Sequence, residues 1–212
     1  MIGVRVCIPW RPTADRLPAF KRCTKFWRDN GFTVHVGDSD GVTFSKSQAL
    51  NNAVRQTEAE IVILADADTL PDDINQVRDA VQCVDHGAHM VFPFTWYHYI
   101  DPEHVETEDL STITDYSTVE HSTGGIVVIR RSSFWAVGGF DERFVGWGHE
   151  DCSFAYAMTT MFGEQRLPGI VWSFEHPSVV RYPSQNNVEL GARYRAAKWN
   201  KDEMRALINE AS

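Results

Sequence analysis

Apolar positions along this chain alternate between two periods. Residues 3–8 form a short apolar run ending at Pro9, which predicts a buried strand. Leu17, Phe20, Thr24 and Trp27 then recur at helical spacing, and Asn30-Gly31 is a stop signal. Residues 33–36 predict a second strand, and Ser45 can cap a helix whose apolar side carries Ala49, Leu50, Ala53 and Val54. Residues 61–65 are continuously apolar and bounded by acids, as a buried strand would be. Ile74, Val77, Val81 and Val84 return to helical spacing after Pro71. Two more strands are predicted over 90–94 and 126–129, with an irregular, polar and aromatic stretch at 95–121 between them. A helix over 151–161, a strand over 170–174 and a mostly helical segment over 188–211 complete the pattern.

Strands alternating with helices predict an α/β fold, Rossmann-like, with a mainly parallel central sheet flanked by helices. No repeat, low-complexity tract or linker interrupts the pattern, so residues 1–212 read as a single domain.

Composition narrows the function. Hydrophobic residues make up 43% and charged residues 23%, an ordinary globular balance. No apolar run approaches the roughly 20 residues of a membrane-spanning helix, so no membrane partner is expected. A net charge of −9 disfavours a non-specific grip on a phosphate backbone, although it leaves a local basic groove open. Cys7, Cys23, Cys83 and Cys152 show no close pairing, which predicts thiols and a cytoplasmic enzyme.

Two acidic segments carry the candidate chemistry. ILADADTLP sets Asp66 and Asp68 at the carboxyl end of a buried strand, where ligands collect in open α/β sheets. Oxygen ligands there suit Mg²⁺ or Mn²⁺, and a solvated acidic turn is the plain alternative. In GGFDERFVGWGHEDCSFAYAM, Gly146 and Gly148 flank Trp147, and Glu150 and Asp151 open a helix. Capping at a helix N-terminus accounts for one such acid. It does not account for a tryptophan presented between glycines just before two of them. An aspartate in this place can serve as general base toward a hydroxyl acceptor.

Taken together, IPWR at Ile8, FSKSQALN at Phe44, LADADTLP and STGGIVVIRRSSFWAVGGFDERFVGWGHED resemble, in chain order, the β-1,4-galactosyltransferase family of GT-A glycosyltransferases. The resemblance to the catalytic part of polypeptide N-acetylgalactosaminyltransferases is more distant. It implies a single GT-A catalytic domain that uses Mn²⁺ (or Mg²⁺) and a nucleotide diphosphate sugar, with a UDP-sugar as donor. Carried onto matching positions, it places Arg11 and Lys46 near the nucleotide or its phosphates and packs Phe44 on the uracil. Asp66 would contact the ribose or the metal-bound nucleotide. Asp68 and His176 would be metal ligands, and Gly125 would admit the donor to the backbone. Trp147 would lie over the donor, Glu150 would bind hydroxyls, and Asp151 would be the catalytic base of an inverting transfer.

The chain departs from the family's pattern at three places. Ser173 stands where some members have a methionine ligand, Cys152 and Ser153 replace further acids, and His149 replaces a glycine. These changes leave the sugar and the acceptor open: a glycan, a protein or a hydroxylated DNA base, in a bacterial or viral setting. Trp96, Tyr97 and Tyr99 mark an acceptor-facing stretch, or equally a set of core aromatics. Arg193, Arg195 and Lys198 form a small basic group on a helix face. Competing functions are a retaining transferase of the same fold, a nucleotidyltransferase and an inactive sugar-nucleotide-binding module.

Overall fold

In the computed structural model, which describes residues 3–176 and 182–211, the first predicted strand is β1 (Val4–Pro9), buried from Val6 onward. α1 (Leu17–Asp29) follows, and β2 (Thr33–Gly37) lies parallel to β1 on one side. α2 (Lys46–Arg55) leads to β3 (Ile61–Ala65), parallel to β1 on the other side. Every residue of β3 is buried, which explains its unbroken apolar run. After the short β4 (Thr69–Pro71), α3 (Ile74–Asp85) starts with Asp73 and Gln76 in a reciprocal capping box, and β5 (Met90–Phe92) follows. Next come β6 (Trp96–Ile100), β7 (Ser117–Glu120), β8 (Ile126–Arg130) and α4 (Arg131–Ala136). The chain ends through α5 (Glu150–Phe162), β9 (Gln165–Arg166), β10 (Ile170–Phe174), α6 (Gln185–Ala197) and α7 (Lys201–Ala211).

The central sheet has the order β2-β1-β3-β8-β5-β9. Only β8 runs against its neighbours, so the sheet is mainly parallel, as the alternation predicts. A second sheet, β4-β10-β6-β7, was not predicted. The stretch at 95–121 is not irregular: it holds β6, β7 and two 3₁₀ turns at Pro102–Glu106 and Leu110–Thr112. In β6 the consecutive Tyr97 and His98 are both buried, so both sides of this strand are covered at their positions. No alternation therefore marks it as a strand. The strand predicted over 170–174 is β10, in this second sheet rather than the central one.

The C-terminal helical segment is two helices with a corner at Trp199, whose φ is +73°. All four cysteines are free thiols, and burial pushes that of Cys7 up to about 12. Among the described residues no helix is long and apolar enough to cross a membrane.

Candidate active site

The site forms where β3 ends. Its last residues pair antiparallel with β8, Ala65 opposite Ile126. This brings Gly125 beside Asp66: the Asp66 amide donates to the Gly125 carbonyl (2.8 Å), and the Gly125 amide donates to Asp66 Oδ2 (3.0 Å). Gly125 has a φ of +97°, and a Cβ there would lie 2.5 Å from the Tyr97 ring. A Cβ on Gly124 would lie 2.8 Å from Asp151 Oδ2. The two glycines therefore let a strap of backbone pass between a buried tyrosine and two carboxylates.

The second sheet places His176. β10 pairs antiparallel with β4, Ser173 opposite Thr69, and the ladder continues as the Phe174 amide donates to the Asp68 carbonyl (2.9 Å). His176, two residues further on, has Nε2 3.6 Å from Asp68 Oδ2. One hard cation with ligand bonds of about 2.1 Å spans such a separation, and an oxygen with an imidazole nitrogen suits Mn²⁺. The residues thus fit a divalent ion, with two protein ligands. Among the described residues no group of three His, Cys, Asp or Glu side chains could hold one, so further ligands would come from a donor or water.

Asp151 reaches the site from α5. The helix N-cap, His149, has a φ of +74° and makes no side-chain capping bond. That backbone angle explains why a glycine suits the position. Neither acid of the first turn serves as a plain cap. Asp151 Oδ2 accepts from Lys46 Nζ at 2.8 Å, and Glu150, only 8% exposed, has an Oε2 that meets no partner among the described residues. Lys46 Nζ also lies 2.6 Å from Asp66 Oδ1. As the first residue of α2, Lys46 is opposed by the helix dipole. The two carboxylates offset that and hold its pKa far above the ordinary lysine value, against the opposite pull of burial. Burial raises the Asp151 carboxyl to about 7, with Lys46 pulling it back and Glu150 and Asp66 adding to the rise.

Tyr97 and Tyr99 lie beside this cluster with ring centroids 4.9 Å apart and planes tilted by 54°. Burial, and next the nearby Asp66, raise both phenols, so each stays a neutral hydrogen-bond donor. Tyr97 is thus a buried wall of the site, whereas Trp96 is 44% exposed.

Residues 106–168 match the family model described as the N-terminal domain of galactosyltransferase. No curated protein matches the chain in sequence. Among solved structures, it is similar to the catalytic domain of Drosophila β1,4-galactosyltransferase 7 in complex with xylobiose, with 18% identity and a TM-score of 0.58 over 92% of this chain and 81% of that one. It is also similar to GalNAc-T7 with UDP, GalNAc and Mn²⁺, with 14% identity and a TM-score of 0.57 over 94% of this chain and 48% of that one. A mannosyltransferase from Pyrobaculum calidifontis, in complex with GDP-Man and Mn²⁺, aligns at 16% identity and a TM-score of 0.51 over 98% and 74% of the two chains.

The chain has the GT-A glycosyltransferase fold. Within this GT-A fold the expected site residues fall into two groups. Lys46, Asp66, Gly125 and Asp151 line one pocket, with Glu150 beside Asp151 in the chain, and Asp68 and His176 line a second pocket that starts from the same Asp66–Asp68 turn. Lys46, expected near the nucleotide or its phosphates, pairs here with Asp66 and Asp151. Arg11 and Phe44 form a separate clamp. Arg11 pairs with Asp38 (2.9 Å), donates to the Ser39, Gly41 and Val42 carbonyls and lies 5.6 Å from the Phe44 ring centroid.

Trp147 is 49% exposed on a loop between two glycines of positive φ, Gly146 and Gly148. This loop is anchored from α6, where Asn187 Nδ2 lies 3.1 Å from the Val145 carbonyl, 3.3 Å from that of Trp147 and 3.2 Å from that of Gly148. Arg193 pairs with Glu210, and Lys198 lies over Tyr156 and Trp199, so two of the three basic residues are engaged on a solvated helix face.

Sequence reasoning missed Arg16 and Asn187. Arg16 Nη2 donates to Asp68 Oδ2 at 2.9 Å. The signal was an arginine at the N-cap of α1, a place where Ser, Thr, Asp or Asn would be expected. Asn187 has no local signal, because its partners lie one helix and two strands upstream in the chain.

Proposed function

We propose that this chain is a metal-dependent glycosyltransferase, a single catalytic domain over residues 1–212, that moves a sugar from a UDP-sugar to an acceptor hydroxyl with inversion. One observation carries the reading. Lys46 ties Asp151 to Asp66 of the D-x-D turn, while Asp68 of that turn faces His176, so a candidate base and a metal-facing pair are both joined to the same turn.

Asp68 and His176 would hold the Mn²⁺. When bound, the ion would act as a Lewis acid toward the departing diphosphate. Asp66 would meet the ribose or the nucleotide, and Arg11 with Phe44 would receive the base just beyond the carboxyl ends of β1 and β2. Glu150, with a buried oxygen that meets no partner among the described residues, would accept a hydrogen bond from an acceptor or sugar hydroxyl. Trp147 would cover the donor and exclude water.

In the transfer, the acceptor oxygen bonds to the anomeric carbon as the carbon–oxygen bond to the diphosphate breaks. The hydroxyl proton passes to a carboxylate oxygen of Asp151, and the nucleoside diphosphate leaves. Lys46 favours the ionised, accepting form of Asp151. A single displacement from the opposite face inverts the configuration. The acceptor, whether glycan, protein or hydroxylated base, would approach past Tyr99 and the exposed Trp96.

Calorimetry of UDP-sugars with and without Mn²⁺, followed by NMR of the product's anomeric centre, tests the proposal. Donor binding that needs Mn²⁺ and an inverted product support it. Binding indifferent to the metal, or a retained configuration, would overturn it.

A further inference from the structure

Arg16 stands just before α1 and donates to Asp68 Oδ2, the same oxygen that His176 Nε2 approaches. Its guanidinium lies 5.7 Å from the centroid of the Trp10 ring. Its Nε is buried and meets no acceptor among the described residues, so the arrangement leaves part of the fork unused. A cavity of about 140 Å³ opens beside it, with Asp15, Arg16, Asp68, Glu175 and His176 as its polar lining.

Two cations cannot comfortably share one carboxylate oxygen in a half-buried cleft. A divalent ion bound by Asp68 would stand within about 5 Å of the guanidinium, and in a low-dielectric cleft their repulsion is strong. A diphosphate offers the guanidinium a better partner, because the planar fork matches phosphate oxygens two at a time.

We infer that Arg16 is a built-in counter-ion that holds Asp68 until a diphosphate draws it away, so that metal and nucleotide bind cooperatively. The inference rests on Asp68 and His176 being the metal ligands. Arg16 is here a positioning residue. Its exchange of partners raises the affinity of each ligand in the presence of the other, and by linkage the factor is the same in both directions.

The test is Mn²⁺ binding to the full chain, read from the free-ion signal in electron paramagnetic resonance, with Mn²⁺ alone and with Mn²⁺ plus UDP. Arg16→Gln should bind Mn²⁺ alone on the order of 10-fold more tightly than wild type, and the factor by which UDP tightens Mn²⁺ should fall by a similar amount. Arg16→Lys keeps a cation but loses the fork. It should bind Mn²⁺ alone as wild type does, with a reduced response to UDP. Should Arg16→Gln fail to fold by circular dichroism, Arg16→Lys carries the test, and an undiminished UDP response there overturns the inference. So does Arg16→Gln that binds Mn²⁺ alone no more tightly than wild type. A wild-type chain that binds no Mn²⁺ even with UDP refutes the metal site itself, a failure distinct from that of Arg16.

Discussion

Lys46 Nζ donates to Asp151 Oδ2 at 2.8 Å, tying the first residue of α2 to the first turn of α5. The same ammonium meets Asp66, so one cation balances two acids that arrive on different elements. Lys46→Met would leave both carboxylates without their partner. The variant should unfold in urea with a stability lower by on the order of 3 kcal/mol, because an uncompensated charge remains in a mostly buried place. A variant as stable as wild type would show that the pair is solvated.

The pH dependence of kcat/KM follows from Asp151. Burial raises its carboxyl to about 7, and the base is the ionised form. Activity of the free enzyme should therefore be low in acid, rise as pH passes through about 7 and level off above it. Stability has the opposite sign. A carboxyl raised in the folded state contributes most below about 4, its ordinary value, and that contribution is lost as pH climbs through about 7. Asp151→Asn should abolish this part of the stability profile, as a urea titration at several pH values would reveal.

Gly124→Ala puts a methyl carbon 2.8 Å from Asp151 Oδ2 and should displace the base. Turnover should fall by about 10-fold or more, with donor affinity changed far less. Equal losses in donor affinity and turnover would indicate that the strap collapses as a whole.

Asn187 holds the Trp147 loop through the carbonyls of Val145, Trp147 and Gly148 and is itself only 1% exposed. Asn187→Ala should cost about 1–3 kcal/mol. Limited proteolysis should cut the loop sooner, and the donor KM should rise. A loop that resists cleavage as before would place its anchoring elsewhere.

Much of the fold was legible because burial on both faces leaves a plain signature, as in Ile61–Ala65, and because α1, α2 and α3 keep one apolar side. The second sheet was not legible, since in Trp96–Ile100 the burial of both Tyr97 and His98 erases the period that marks a strand. Asp66 and Asp68 could be read where an apolar strand runs into acids, and Glu150 and Asp151 from the glycine-flanked tryptophan before a helix. His176 came only through resemblance, as its place depends on the register of Ser173 opposite Thr69. A sequence can show a cation at the start of a helix but not which anion it meets, so the pairing of Lys46 with Asp66 and Asp151 is visible only in the structure. Arg16 went unnoticed for the same reason.

Release of UDP from a UDP-sugar, followed in wild type, Asp151→Asn and Asp68→Ala with donor binding measured in parallel, decides whether Asp151 is the base and Asp68 a metal ligand. Wild type should release UDP only with Mn²⁺, and the Asp151→Asn chain should bind donor normally yet turn over about 100-fold or more slowly. The Asp68→Ala chain should lose Mn²⁺-dependent donor affinity. Wild-type turnover by Asp151→Asn, or release that continues unchanged when a chelator removes the metal, would contradict these roles.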